Sequence, residues 1–201
     1  MIVIGLTGGI ASGKSAVSGM LEQWGAVVID ADKVGHEAFL PDTDAWREVV
    51  ATFGSEILDE NGKIDRSKLA DIVFRDPDAL LRLNSIMHPL MYRIVEHKIE
   101  ALRDRGVDVV VLEAPLLIEA KWTDLVDQVW VVVAPESNVI DRLCNQKGFT
   151  EEQAKARINS QTTSSEKSKY ADVVIENDSD LGSLREKLED IWRRLRSSAG
   201  D

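Results

Sequence analysis

Eight residues near the start of the chain, Gly8-Gly9-Ile10-Ala11-Ser12-Gly13-Lys14-Ser15, limit what it can fold into more than any other feature. They match the phosphate-loop pattern G-x-x-x-x-G-K-[ST], and their flanks supply the context that gives the pattern meaning. The apolar run Ile2–Leu6 before the loop reads as a buried strand, and the periodicity of Lys14–Trp24 predicts a helix after it. Glycines let the backbone turn so that successive N–H groups converge on one point, and the helix adds the positive end of its dipole. Such a loop binds phosphate. Lys14 is expected to bring its charge to the β- and γ-phosphates of ATP, and Ser15 its hydroxyl to Mg²⁺. Gly8, Gly9, Ala11, Ser12, Gly13, Lys14, Ser15 and Ala16 are the candidate nucleotide-binding residues, with Ser15 the candidate metal ligand.

Further apolar runs at Ala26–Ile29, Val107–Leu112, Gln128–Val133 and Val173–Glu176 alternate with helical patterns, as in a parallel sheet covered on both faces. Leu181, Leu184, Leu188, Ile191 and Leu195 predict a last helix, with Asp178, Ser179 and Asp180 as candidate caps. The fold class expected is α/β, a P-loop NTPase three-layer fold with a five-stranded parallel sheet, a helical substrate-binding insertion and a small lid. About 75 residues between the second and third strands read as helical, far more than a crossover needs. There, Leu80, Leu83 and Met87 form an apolar stripe, and Pro89 is expected to open a new helix. The expected division is a nucleotide-binding core at residues 1–40, 105–141 and 170–201, an acceptor-binding region at 41–104 and a lid at 142–169.

Composition narrows the partners. The 201 residues carry a formal net charge of −11, which argues against a nucleic-acid surface. The only cysteine, Cys144, allows no internal disulfide and reads as a structural thiol. No apolar run reaches the ~18 residues of a membrane span, and the first residues lack a basic leader. A cytoplasmic protein is expected, a monomer or weak homo-oligomer acting on a small molecule.

A loop of this kind serves GTPases, motors and small-molecule kinases alike. No Asn-Lys-x-Asp guanine-reading segment occurs, and a local basic segment points to phosphoryl transfer. Arg142, Lys147, Lys155, Arg157, Lys167 and Lys169 face only Glu151, Glu152 and Glu166 between residues 142 and 169. A solvated helical face accounts for Lys155 and one of Lys167 or Lys169. Arg142 and Arg157 are better suited to phosphates because guanidinium forks match oxyanion geometry. Strand two ends Val28-Ile29-Asp30-Ala31-Asp32, and the carboxyl ends of parallel strands line the ligand crevice. Asp30 serves equally well as a helix cap; Asp32 is the candidate base for an acceptor hydroxyl. Glu113, ending the third strand, lies where an acid could help hold Mg²⁺ through water.

These residues sit in a wider pattern: Gly5–Ser15, Ile29-Asp30-Ala31-Asp32, Phe53-Gly54, Asp65-Arg66, Leu83-Asn84-Ser85-Ile86-Met87-His88-Pro89, Pro115-Leu116-Leu117-Ile118-Glu119, Arg142, Arg157-Ile158-x-x-Gln161 and Ala171-Asp172. In this order they resemble the dephospho-CoA kinase family, which phosphorylates the ribose 3′-hydroxyl of dephospho-CoA in the last step of coenzyme A synthesis. The resemblance implies ATP and Mg²⁺, Asp32 as catalytic carboxylate with Lys14, and Arg142 as a lid arginine near the phosphates. His88, Pro115, Leu116 and Arg157 become candidate acceptor contacts beside Asp32. The chain departs from the family where a second lid arginine is common: it has Asn145-Gln146-Lys147, keeping a charge without the fork. Another nucleoside or nucleotide kinase on the same core is the alternative enzyme, and a nucleotide-switched regulator the alternative of another class.

Overall fold

In the computed structural model, which describes residues 1–198, five strands form one parallel sheet. The last three residues of the expected core segment 170–201 lie outside the described residues. The strands are β1 (Ile2–Gly8), β2 (Val27–Asp30), β3 (Val109–Glu113), β4 (Gln128–Val133) and β5 (Val173–Glu176), in the order β2-β3-β1-β4-β5. The helices are α1 (Lys14–Gln23), α2 (Ala31–Ala38), α3 (Asp44–Phe53), α4 (Arg66–Arg75), α5 (Pro77–Asp104), α6 (Glu136–Lys147), α7 (Glu151–Asn159), α8 (Ser164–Ser168) and α9 (Leu181–Ser198). All five strands lie where the apolar runs predicted them, with ends shifted by up to two residues.

Register places the functional end of the sheet. Leu6 of β1 pairs with Glu113 of β3, Gly8 with Val132 of β4, and Val133 with Glu176 of β5. The carboxyl ends of these strands are therefore level, and the phosphate loop leaves β1 among them. Ile4, Leu6, Val111, Trp130 and Val132 are buried with Val17 and Leu21 of α1 and Leu184 and Leu188 of α9. Each such side chain contributes about 1.5–3 kcal/mol through burial. Trp130→Ala, which empties the largest of these positions, should cost about 3–5 kcal/mol. Asp180 caps α9 by accepting from the backbone N–H groups of Gly182 and Ser183.

The chain divides into two units: Met1–Ile29 with everything from Leu102 onward, and Asp30–Ala101. The second is helical, with Val49, Phe53, Ile57, Val73 and Met87 at its centre. Contrary to the sequence expectation, Pro89 opens no helix; α5 runs through it for 28 residues. Proline lacks the N–H that would reach Ser85 and costs about 3 kcal/mol inside a helix. Met87 before it and Val95 and Ile99 after it are all buried, and together they outweigh that loss at about 1.5–3 kcal/mol each. Leu80, placed on the same stripe by its spacing, is 36% exposed. Among the described residues, no helix is long and apolar enough to cross a membrane.

Candidate active site

β1 delivers the chain into the loop at Gly8, and α1 takes it away at Lys14. Two glycines there have no substitute. Gly13 has φ +105°, and a Cβ would lie 2.1 Å from Asn177 Nδ2; Gly8 has φ +154°, and a Cβ would lie 2.4 Å from the Val132 carbonyl oxygen. Both the backbone angle and the space forbid a side chain.

The loop is held from behind. Asn177, directly after β5, donates from Nδ2 to the Ser12 carbonyl at 2.7 Å. Arg142 Nη1 donates to the carbonyls of Ala11 (3.0 Å) and Ser12 (3.3 Å), while its Nη2 reaches the Asn177 carbonyl at 3.4 Å. Within a trans peptide the N–H points opposite to the C=O. Anchoring the Ser12 carbonyl therefore turns the Gly13 N–H the other way, beside the first-turn N–H groups of α1 that no helix bond satisfies. The result is a cradle for an anion. Ser12 is 2% exposed and its hydroxyl has no hydrogen-bond partner, so its part in the cradle is played by its backbone. Ala16 already gives its N–H to the Gly13 carbonyl at 3.0 Å and belongs to the helix.

On the open side, Lys14 Nζ donates to the carbonyls of Gly8 (3.0 Å) and Gly9 (2.8 Å), which curls the ammonium over the loop. Ser15 Oγ donates to Glu113 Oε1 at 3.0 Å and Ser18 Oγ to Glu113 Oε2 at 2.6 Å. Two adjacent hard oxygen ligands, a hydroxyl and a carboxylate, suit Mg²⁺ completed by phosphate and water. At the crest, Ile10 N–H donates to Gln161 Oε1 at 2.9 Å. Ile10 and Ala11 pack on Val139, Leu143 and Ala154 of the α6–α7 pair. A cavity of about 380 Å³ opens beside the crest, bordered by Gly9, Ser12, Glu136, Ile158 and Gln161.

The basic segment is less free than its composition suggests. Arg142 is committed to loop carbonyls, and Lys155 pairs with Glu151 at 2.6 Å. Arg157 lies 4.4 Å over the Phe149 ring. Lys169 is the exposed member of its pair; Lys167 is buried, with Nζ 3.0 Å from Glu119 and 2.7 Å from the Pro115 carbonyl. Burial pushes the Glu119 carboxyl up, but hydrogen bonds from Lys167, its own backbone and Thr162, with the Lys167 charge, outweigh that and hold it below its usual range. Pro115 thus serves through its carbonyl, which also accepts from Thr7 Oγ1 at 3.1 Å. Leu116 is 52% exposed while Leu117 is fully buried.

In the Asp30–Ala101 unit, Asp30 Oδ1 accepts from the N–H groups of Asp32 (2.9 Å) and Lys33 (3.2 Å), making it the cap of α2. The Asp32 carboxylate stands exposed in the first turn. His88 is half-buried on α5, and desolvation lowers its pKa from the usual value. Sequence reasoning missed Asn177, Ser18 and the burial of Lys167. Only Asn177 had a local signal, its place at the carboxyl end of a strand.

A 2-3-1-4-5 parallel sheet with a phosphate loop after its central strand, a loop serine on a strand-end glutamate and a small helical segment over the crest defines a P-loop kinase. Residues 2–183 match the profile of the dephospho-CoA kinase family, and the chain belongs to that family. It is 48% identical over 186 residues to a dephospho-CoA kinase of Carboxydothermus hydrogenoformans, covering 92% of this chain and 90% of the relative. Among solved structures, one from Thermus thermophilus aligns with TM-score 0.80 and 32% identity over 96% of this chain and 97% of the other. The dephospho-CoA kinase from Campylobacter jejuni aligns with TM-score 0.75 and 26% identity over 98% of both chains.

Proposed function

We propose that the protein transfers the γ-phosphoryl group of ATP to the ribose 3′-hydroxyl of dephospho-CoA, giving coenzyme A. The observation that carries this reading is a phosphate loop already braced from behind by Arg142 and Asn177, in a chain that matches dephospho-CoA kinases nearly end to end. Backbone N–H groups of the loop bind the phosphates, and Lys14 swings from the Gly8 and Gly9 carbonyls onto phosphate oxygens. Ser15, with Glu113 behind it, would hold Mg²⁺, which would supply neutralisation of phosphate charge. Asp32 takes the proton of the attacking hydroxyl, and the bond from phosphorus to the ADP oxygen breaks as the new one forms. Arg142 braces the loop through three carbonyls, and its remaining N–H donors are the proposed lid contacts to the phosphates. Arg157, His88, Pro115 and Leu116 are the proposed acceptor contacts beside Asp32, with residues 41–104 as the acceptor region.

An ADP-release assay with dephospho-CoA, AMP, uridine and shikimate as acceptors tests the assignment. Turnover dependent on dephospho-CoA is expected. Turnover with another acceptor alone makes this a different kinase, and nucleotide binding with slow, acceptor-independent hydrolysis makes it a regulator.

A further inference from the structure

Lys167 is the most deeply buried charge among the described residues, its side chain 3% exposed. Burying the lysine costs desolvation that its partner, with the Glu119 side chain still 27% exposed, repays only in part, and such a pair often does no better than apolar side chains of the same volume. Net stability is therefore a poor account of this pair. Its geometry suggests another. Lys167 Nζ binds both oxygens of Glu119, at 3.0 and 3.3 Å, and the Pro115 carbonyl at 2.7 Å. The Pro115 carbonyl is shared with the hydroxyl of Thr7, the residue before Gly8. Lys167 itself lies in α8, six residues after Gln161. Gln161 in turn accepts the N–H of Ile10 at the crest of the loop.

One ion pair therefore reaches both ends of the loop, its root through Pro115 and Thr7 and its crest through α8 and Gln161. The segment between Gln161 and Lys167 is short and fixed. A capping box at its start, with Thr163 accepting from Glu166 N–H and Glu166 accepting from Thr163 N–H, sets the direction of α8. Ser164 and Gln161 come within about 4 Å of where a Cβ on Gly9 would stand, so this segment lies directly against the crest.

We propose that Gln161 is a positioning residue for the phosphate loop, holding the Gly9–Ala11 crest in its anion-accepting shape, and that Lys167, buried and paired with Glu119, is the clamp that fixes Gln161. The proposal rests on reading the protein as an ATP phosphotransferase but not on the identity of the acceptor. A flexible glycine-rich crest loses entropy when it closes on phosphate, and a crest already held in place loses less.

The test measures binding of a non-hydrolysable ATP analogue by calorimetry alongside steady-state kinetics. Gln161→Ala should weaken analogue binding and raise the KM for ATP about five- to tenfold while kcat changes less than about threefold, with thermal stability nearly unchanged. Lys167→Met should weaken binding in the same direction, and the double variant should be no worse than the more affected single one, because both lie on one path. Multiplying effects, or Gln161→Ala binding the analogue as the wild type does, overturns the proposal. If Lys167→Met does not fold, Glu119→Gln and Lys167→Arg replace it, with Lys167→Arg expected to keep more of the affinity. A wrong acceptor leaves the calorimetry intact; a wild-type chain that does not bind the analogue overturns both this proposal and the kinase reading.

Discussion

The phosphate loop and the candidate acceptor residues Asp32 and His88 of the Asp30–Ala101 unit present their polar groups in opposite ways. Around the loop, Arg142, Asn177, Gln161, Ser15, Ser18 and Glu113 are all joined in hydrogen bonds within the protein. In the other unit, Asp32 gives its backbone N–H to the Asp30 cap and leaves its carboxylate to solvent, and His88 is half-buried. On the proposed function, the difference follows from what each would bind. Phosphate is small and always the same shape, so its cradle can be set in advance at little cost to generality. A carboxylate that must receive a proton gains from staying ionised and unshared until the hydroxyl arrives.

The comparison can be broken by substitutions that separate ATP binding from transfer. The largest effect is expected from Lys14→Ala, which removes the mobile charge of the loop: kcat/KM should fall on the order of a thousandfold, with weaker ATP binding. Kinetics with varied ATP check it, and an unchanged KM for ATP would remove Lys14 from the binding set. Asp32→Asn should lower kcat about a hundredfold while the KM for ATP stays within about threefold. Equal losses in both would make Asp32 a binding or folding residue and erase the contrast between the two regions.

A smaller effect is expected at the strand-end acid. Glu113→Gln keeps shape and both hydroxyl partners but loses the charge, so the Mg²⁺ concentration needed for half-maximal rate should rise about tenfold. A magnesium titration of the rate reads this directly. If the curve does not move, Glu113 serves only to orient α1 through Ser15 and Ser18.

Acid should expose the two regions one after the other. His88 has a folded pKa below its usual 6.5, so its contribution is complete above that value and drains away as pH falls through the folded one. Glu119, held below its usual 4.5, keeps its contribution until pH falls beneath that value. Melting temperature should therefore begin to drop just below pH 6.5 through His88, and again below pH 4.5 through Glu119. His88→Gln should flatten the first drop and leave the second. Scanning calorimetry from pH 7.5 to 4 distinguishes them.

Local signals made the loop and the sheet legible in the sequence. Strands such as Gln128–Val133 are continuous apolar runs, and the glycines of the loop are required by backbone angles that one residue imposes on itself. What escaped was decided across the chain. Lys167 resembles any surface lysine until Glu119, 48 residues earlier in the sequence, is found beside it. Pro89 carries the local signature of a helix start, yet the buried residues on either side carry α5 through it. Arg142 has the chemistry of a phosphate ligand, and only the folded structure reveals the loop carbonyls that it also holds.

The smallest effect separates two neighbouring carboxylates, Asp30 and Asp32, at the end of β2 and the start of α2. Asp30 accepts from two N–H groups at the start of α2, and loss of such a cap costs about 1 kcal/mol, or roughly 2–4 °C in a chain of this size. Asp30→Ala should show that shift in thermal melting, with kcat reduced by less than about tenfold because the turn carrying Asp32 loosens without losing its carboxylate. Asp30→Asn should restore most of the melting temperature, since the amide oxygen still caps. A loss of kcat at Asp30→Asn as large as at Asp32→Asn would move the base to Asp30, and the cap would then be a by-product of holding a catalytic carboxylate at the end of β2.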